Sequence, residues 1–112
     1  MYLITAIIRP EQVDAAREAL EAAGVHGLTV SEAAGFGRQR GHVQVYRGAE
    51  YVVDLIPKVR LEVVTDDAQA SGIVDVLVAA ANTGNAGDGK VWTHRLEEVV
   101  RVSTGERGPG AV

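Results

Sequence analysis

The alternation of apolar and polar residues along the chain predicts an opening strand and a helix. The run from Leu3 to Ile8 is continuous and rich in β-favouring residues, which is typical of a strand covered on both faces. From residue 11 to 23 apolar residues recur at helical spacing, and Gly24 follows where a C-terminal cap belongs. The first quarter of the chain is therefore predicted to be a strand followed by an amphipathic helix.

The same reading predicts a second helix and further strands. One strand is expected from about Leu28 to Ala34, and another from Lys58 to Val64, where apolar and charged residues alternate. Thr65-Asp66-Asp67 supplies N-cap chemistry for a second helix that ends near Asn82. Short β-favouring runs then predict two final strands, at 91–93 and 99–102.

The order of these elements predicts an α+β fold, a ferredoxin-like βαββαβ sandwich with both helices on one face of an antiparallel sheet. The chain of 112 residues, 46% of them hydrophobic, supplies one core, so residues 1–112 are expected to form a single domain. No third helix is available to cover the other sheet face, and we therefore expect self-association. The glycine-containing tail, 103–112, is expected to be flexible.

A long loop, residues 37–55, separates the second and third predicted strands, although a hairpin needs only about 2 to 5 residues. Its centre, Tyr46-Arg47-Gly48-Ala49-Glu50-Tyr51, places two phenols and an arginine around a glycine. The tyrosines could be packing anchors, but two of them in a polar loop favour exposure. A loop of this length in a compact domain is usually functional or disordered.

Composition and charge exclude several classes of protein. The absence of cysteine excludes disulfides and thiolate sites and makes a cytoplasmic location the default. The opening apolar run ends at Arg9-Pro10, far short of the roughly 20 residues that cross a bilayer. A net charge of −4 argues against direct binding of nucleic acid. The three histidines lack the spacing of a zinc site, and no catalytic triad stands out.

Two glycine-rich segments are candidates for anion binding. Residues 35–42 combine glycines with two arginines, so backbone N–H groups and guanidinium forks could hold a phosphate or carboxylate; the alternative is a solvated hinge. In residues 84–90 the glycines permit close backbone approach and Lys90 adds a charge; the alternative is an ordinary turn. This second segment is not a Walker A loop, because a strand and not a helix follows the lysine.

Three blocks of the sequence resemble the PII family of nitrogen-regulatory signal proteins. Residues 35–42 are similar to the start of the family's long T-loop, residues 46–51 match its T-loop signature at every position, and residues 83–92 match its phosphate-loop signature. Matching ends make the resemblance run through essentially the whole chain. It implies a homotrimer of ferredoxin-like subunits, with nucleotide sites between neighbours that ATP and ADP compete for.

The resemblance also implies roles for individual residues in nucleotide binding. The phosphates would be held by Gly37, Arg38, Gly87, Asp88, Gly89 and Lys90, with Arg101 reaching in from the adjacent subunit. The adenine pocket would be lined by Thr29, Glu62 and Val64.

A second ligand, a metal and two loop residues follow from the same resemblance. Gln39 would help hold a magnesium ion shared by the ATP phosphates and 2-oxoglutarate, and Lys58 would pair with a carboxylate of that acid. ATP and not ADP would support binding of the acid, because the γ-phosphate completes the oxygen shell that magnesium prefers. Tyr51 would be uridylylated or adenylylated by a nucleotidyltransferase, and Arg47 resembles the arginine that family members insert into an ammonium transporter.

The function implied is that of a non-enzymatic, cytoplasmic sensor of ATP, ADP and 2-oxoglutarate. Through its T-loop it would control nitrogen-assimilation enzymes, regulators or an ammonium transporter, and the transporter would recruit it to the membrane. One alternative is a weak nucleotide hydrolase, although the sequence offers no evident general base. The other is a PII-like trimer with a different ligand or partner, which the intact block at 46–51 disfavours.

The sequence departs from the family pattern at Ser103, where a second phosphate-binding arginine is usual, and at Asn85-Ala86 and Val43-Gln44. The last pair bears on the choice of partner. Loss of one charge-assisted hydrogen bond, about 1.5–3 kcal/mol, is expected to weaken ATP binding by about one to two decades. Ser103→Arg should therefore tighten ATP more than ADP in calorimetric titrations, and unchanged affinities would contradict this expectation.

Overall fold

The computed structural model describes residues 1–37 and 55–112 and the backbone of 43–46 and 49–52. The helices are α1, Val13–Ala22, which a 3₁₀ turn at Pro10–Gln12 precedes, and α2, Asp67–Ala81. The strands are β1, Tyr2–Ile8; β2, Thr29–Gly35; β3, Val43–Tyr46; β4, Ala49–Val52; β5, Ile56–Thr65; and β6, Gly89–Arg95. A second 3₁₀ turn spans Pro109–Ala111.

The main sheet has the strand order β2-β5-β1-β6 with every neighbouring pair antiparallel, and β3 and β4 form a separate two-stranded ladder. Two helices and a four-stranded antiparallel sheet confirm the predicted α+β, ferredoxin-like fold. Strand β1 lies in the middle of the sheet, so its sequence of almost uninterrupted apolar residues is explained by neighbours on both edges and a helical layer on one face.

The core lies between one face of the sheet and the two helices. Alternate residues of β1 and β5 point into it, as expected from the two-residue period of a strand. The helices contribute residues at the i, i+4 spacing of a single helix face. Its buried members include Ile4, Ala6, Ile8, Leu61 and Val63 from the strands and Ala16, Leu20, Ile73 and Leu77 from the helices.

Asp66 caps α2 as its position in the sequence predicted, because its Oδ1 accepts a hydrogen bond of 2.8 Å from the Gln69 backbone N–H. This bond satisfies one of the donors that the first turn of a helix leaves unpaired. Among the described residues, neither helix is long and apolar enough to cross a membrane.

The predicted strand at 99–102 is wrong. In the described part of the chain this segment makes a single bridge, Val100 with Arg107, and the Arg101 backbone N–H donates to Glu106 O at 2.9 Å. Glycines with positive φ at 105 and 108 turn the chain back, so the β-favouring valines pair with their own tail. The tail ends in a 3₁₀ turn at Pro109–Ala111 with Ala111 buried, and its flexibility stays a prediction.

Gly89 lies where a close approach of two strands excludes a side chain. Its φ is 102°, and a Cβ at this position would lie 1.7 Å from the Ile7 carbonyl oxygen. At Gly72, in the interior of α2, a Cβ would have no atom within 4 Å apart from its chain neighbours and the nearby backbone of its own helix. The two glycines therefore provide a matched pair for mutation.

Gly89→Ala is expected to lower the free energy of unfolding by at least about 2 kcal/mol, because it adds backbone strain and a clash with main chain. Gly72→Ala is expected to raise it by about 0.5–1 kcal/mol, because alanine is the better helix former. Urea unfolding of both variants checks the opposite signs. A Gly89→Ala protein as stable as the wild type would show that this part of β6 is not packed as described.

Candidate functional site

The loop from Thr83 to Asp88 joins α2 to β6 and forms the floor of the candidate site. Its last four residues make a turn in which the Asp88 N–H donates to Asn85 O at 3.4 Å. Gly87, the third residue of this turn, has a φ of 97°, which is the conformation that a type II turn requires at that position and that favours glycine. The sequence prediction that these glycines permit positive φ is confirmed for Gly84, Gly87 and Gly89.

The Asp88 carboxylate holds this loop together. It accepts hydrogen bonds from the backbone N–H groups of Thr83, at 2.7 Å, and Gly84, at 3.0 Å, and from the Thr83 hydroxyl. The Arg9 Nε donates to the same carboxylate at 2.9 Å. The Thr83 hydroxyl and Arg9 hold the pKa of Asp88 well below its usual range. With four donors from within the chain, this carboxylate fixes the shape of the loop.

Arg9 is the functional candidate that sequence reasoning missed. Besides its ion pair with Asp88, it donates from Nη2 to the Ala86 carbonyl oxygen at 2.6 Å. The side chains of Arg9 and Asp88 are only 18% and 21% exposed. The register pairs Ile8 with Gly89, so the residue after β1 meets the residue before β6. The sequence does show a cation at the end of the first strand. Its contact with the loop could be predicted only from the pairing of β1 with β6.

Lys58, on β5, also reaches this loop. Its Nζ donates to the Gly87 carbonyl oxygen at 2.6 Å. Burial, and secondly the nearby positive charge of Arg9, lower the pKa of Lys58 from its ordinary value. Two cations thus hold two successive carbonyl oxygens of the loop, those of Ala86 and Gly87.

A cavity of about 500 Å³ lies above this loop, at the end of the sheet where β1 stops and β5 and β6 start. A volume of this size is usual for a small-molecule site. The cavity brings together six of the residues singled out from the sequence: Gly37, Lys58, Gly87, Asp88, Gly89 and Lys90. Its large apolar lining residues are Ile7, Phe36, Ile56 and Trp92.

The three residues expected at the adenine line a different cavity, of about 770 Å³, toward the other end of β5. Thr29 and Glu62 are register partners there, and Val64 is 39% exposed. The described residues that line this cavity include none that line the first. Since Lys58 and Glu62 are four residues apart on one strand, about 13 Å separates the two groups along β5.

Of the remaining predicted residues that the structure describes, Arg101 lines neither cavity. Arg101 points into its own tail, with Nη2 bonded to Gly110 O at 3.2 Å and Val112 O at 3.3 Å, and with Glu106 3.9 Å away. The backbone of Tyr51 lies in β4 opposite Gln44. Arg38, Gln39 and Arg47 lie outside the described residues. In the described ranges, 1–37 and 55–112, no group of three His, Cys, Asp or Glu side chains could hold a metal ion.

Asp88→Asn is expected to lower stability at neutral pH, because an amide cannot accept all four hydrogen bonds or pair with Arg9. The folded-state pKa of Asp88 is depressed, so its contribution is complete above the unfolded-state value of about 3.9 and is lost as pH falls below it. Urea unfolding should therefore show a constant gap between wild type and variant from pH 8 to pH 5 and a smaller one at pH 3. Asp14→Asn, an exposed control on α1, should leave stability nearly unchanged. A gap that does not narrow in acid would contradict this account of Asp88.

Comparison with known proteins shows the family to which this chain belongs. The sequence model of the family described as "Nitrogen regulatory protein P-II" matches residues 1–106. Proteins named "Nitrogen regulatory protein P-II" from Mesorhizobium japonicum, Rhizobium meliloti and Pasteurella multocida are 54%, 51% and 46% identical to this chain, each over 112 residues and the full length of both proteins. The chain is therefore a member of the P-II family of nitrogen regulatory proteins.

Proposed function

We propose that this protein is a non-enzymatic nitrogen regulatory signal protein that senses ATP, ADP and 2-oxoglutarate and acts on its partners through residues 37–55. The observation that carries the proposal is the first cavity. Five residues implied for phosphate binding and Lys58, implied for 2-oxoglutarate, converge there from three separate parts of the sequence.

The chemistry of this cavity suits a nucleotide polyphosphate. Glycines with positive φ let backbone approach a ligand closely, and backbone N–H groups in such turns bind anions. Lys90 is exposed on β6 and adds a compact positive charge. Phe36 and Trp92, which are 80% and 42% exposed, offer apolar surface for the rest of the ligand.

A homotrimer would explain why the implied nucleotide residues fall into two cavities. A phosphate half in one subunit and an adenine half in the next would form one complete site at each interface. The sheet face opposite the helices supports this assembly, since Val64 and Trp92 are both partly exposed on it and its register places Leu3 and Ile7 on the same side. Arg101 would leave its own tail to reach the neighbour's phosphates.

Magnesium and 2-oxoglutarate would join the site only with ATP. Gln39 would supply one ligand to the ion and the ATP phosphates would supply others. Among the described residues that line the cavity, the one carboxylate is that of Asp88, and it already accepts hydrogen bonds from four donors of the chain. Lys58 would donate to a carboxylate of the acid, either in place of its hydrogen bond to Gly87 O or in addition to it.

Ligand binding would be transmitted to partners because the cavity is lined at both ends of the loop formed by residues 37–55. Gly37 begins this loop and Ile56 follows its last residue, and both line the cavity. Ligands that bind one loop conformation more tightly than another shift the population toward it. The partners are nitrogen-assimilation enzymes or regulators, an ammonium transporter that receives Arg47, and a nucleotidyltransferase that modifies Tyr51.

Isothermal titration with ATP and ADP, each with and without magnesium and 2-oxoglutarate, tests the sensor. Both nucleotides should bind, and the acid should bind only in the presence of magnesium and ATP. Binding of 2-oxoglutarate without nucleotide would contradict the proposal. Turnover of ATP at about 1 per second or faster would favour a hydrolase instead.

Mixed subunits test whether the site lies between neighbours. Lys90→Gln impairs the phosphate half and Glu62→Ala the adenine half, so each variant alone should bind ATP poorly. After the two are unfolded and refolded together, about a quarter of the sites should combine two intact halves and recover full affinity. Recovery of no sites would place the complete nucleotide site within a single chain.

A further inference from the structure

The proposed phosphate loop contains a carboxylate, Asp88, between the two glycines expected to approach the ligand. An unpaired carboxylate there would repel phosphate. We infer that Arg9 is a positioning residue of the nucleotide site, which neutralises Asp88 and fixes the direction of the loop's backbone without touching the ligand. The inference rests on the proposed function, because it assigns Arg9 a part in nucleotide binding.

One guanidinium makes both contacts. Arg9 Nε donates to Asp88 Oδ1 at 2.9 Å, and Nη2 donates to Ala86 O at 2.6 Å. The rigid fork of an arginine can hold two acceptors two residues apart at once, whereas a lysine presents a single point of charge. Arg9 is not among the residues that line either large cavity, so the described geometry gives it an indirect role.

The contact with Ala86 O sets the direction of an N–H group. In a planar trans peptide the C=O and the following N–H point in opposite directions, and the described peptides contain no cis bond. By holding the Ala86 carbonyl, Arg9 therefore directs the Gly87 N–H to the side away from the guanidinium. A type II turn depends on the orientation of this same central peptide, so Arg9 also favours the turn over its alternative, type I.

The contact with Asp88 removes a charge from the ligand's surroundings. The carboxylate remains ionised, and the adjacent guanidinium balances it in a partly buried pair. The charge of Lys90 can then attract phosphate without an opposing anion in the same loop. Arg9 is in this sense the reason that an aspartate is compatible with an anion site.

Calorimetric titration of Arg9→Gln and Arg9→Lys with ATP and ADP tests the inference. Arg9→Gln should bind both nucleotides about tenfold more weakly, and the ratio of the two affinities should not change, because Arg9 acts on the loop that both ligands use. Arg9→Lys retains the charge but makes one contact fewer, so its affinity for both nucleotides should fall about threefold. Arg17→Gln, which removes an exposed arginine on α1, should bind like the wild type. Thermal unfolding establishes that each variant is folded during the titration.

Amide hydrogen exchange in the protein without ligand provides a second readout that does not depend on nucleotide. The N–H groups of Thr83 and Gly84 donate to the carboxylate that Arg9 holds, so their exchange should be about tenfold faster in Arg9→Gln and unchanged in Arg17→Gln. Unchanged exchange in Arg9→Gln would overturn the inference, because the loop would not depend on Arg9.

The titrations separate failure of this inference from failure of the proposed function. A wild type that binds nucleotide, with Arg9→Gln binding equally well, would overturn the role of Arg9 alone. A loss confined to ATP would also overturn it, because it would indicate direct contact with the γ-phosphate. A wild type that binds neither nucleotide would overturn the proposed function and this inference with it.

Discussion

The antiparallel pairing of β1 with β5 on one edge and β6 on the other is the constraint on which the rest of the molecule depends. It places Ile7 between Arg60 and Lys90 and Ile8 between Val59 and Gly89. The end of β1 therefore meets the start of β6 and the first half of β5, and the candidate site lies at that meeting point. Gly89 is required there because the main chains of β6 and β1 approach too closely for a side chain.

The loop above this point is held by hydrogen bonds and by the ion pair between Arg9 and Asp88. The Asp88 carboxylate accepts hydrogen bonds from the beginning of the loop. Arg9 links that carboxylate to the end of β1, and Lys58 links the Gly87 carbonyl oxygen to β5. The contacts of Arg9 and Lys58 join the loop to strands that are far from it in sequence, so these two contacts depend on an intact sheet. The family to which the chain belongs is regulatory, and a loop fixed to the sheet is suited to holding a ligand in a reproducible position.

Local patterns were enough to predict the two helices and the principal strands. The residues from 11 to 23 and the Asp66 cap contain their own signals, because helix periodicity and capping depend on near neighbours. The glycines of the second loop were predicted for the same reason, since positive φ is a property of the residue itself. The candidate site residues came from resemblance. The described fold places five of the phosphate candidates and Lys58 in one cavity and the three adenine candidates in another.

Local patterns could not predict which strands pair or which side chains meet across the fold. The valines at 99–102 have the composition of a strand, but the glycines that follow return the chain to itself, and one bridge forms instead of a ladder. Arg9 was read only as the end of an apolar run, because its partners are 77 and 79 residues away in the sequence. A contact of that range depends on which strands become neighbours, and no window of sequence contains that information.

Trp92, the chain's one tryptophan, lies in the wall of the first cavity with 42% of its surface exposed. An indole in this position is partly in water while the cavity is open and would be desolvated by a ligand or a neighbouring subunit placed against it. The chain's one indole, whose emission can be excited apart from that of its three tyrosines, therefore lies in the wall of the candidate site. That emission can report a ligand or a second subunit placed against the indole in unlabelled protein, without a dye that would itself disturb the cavity.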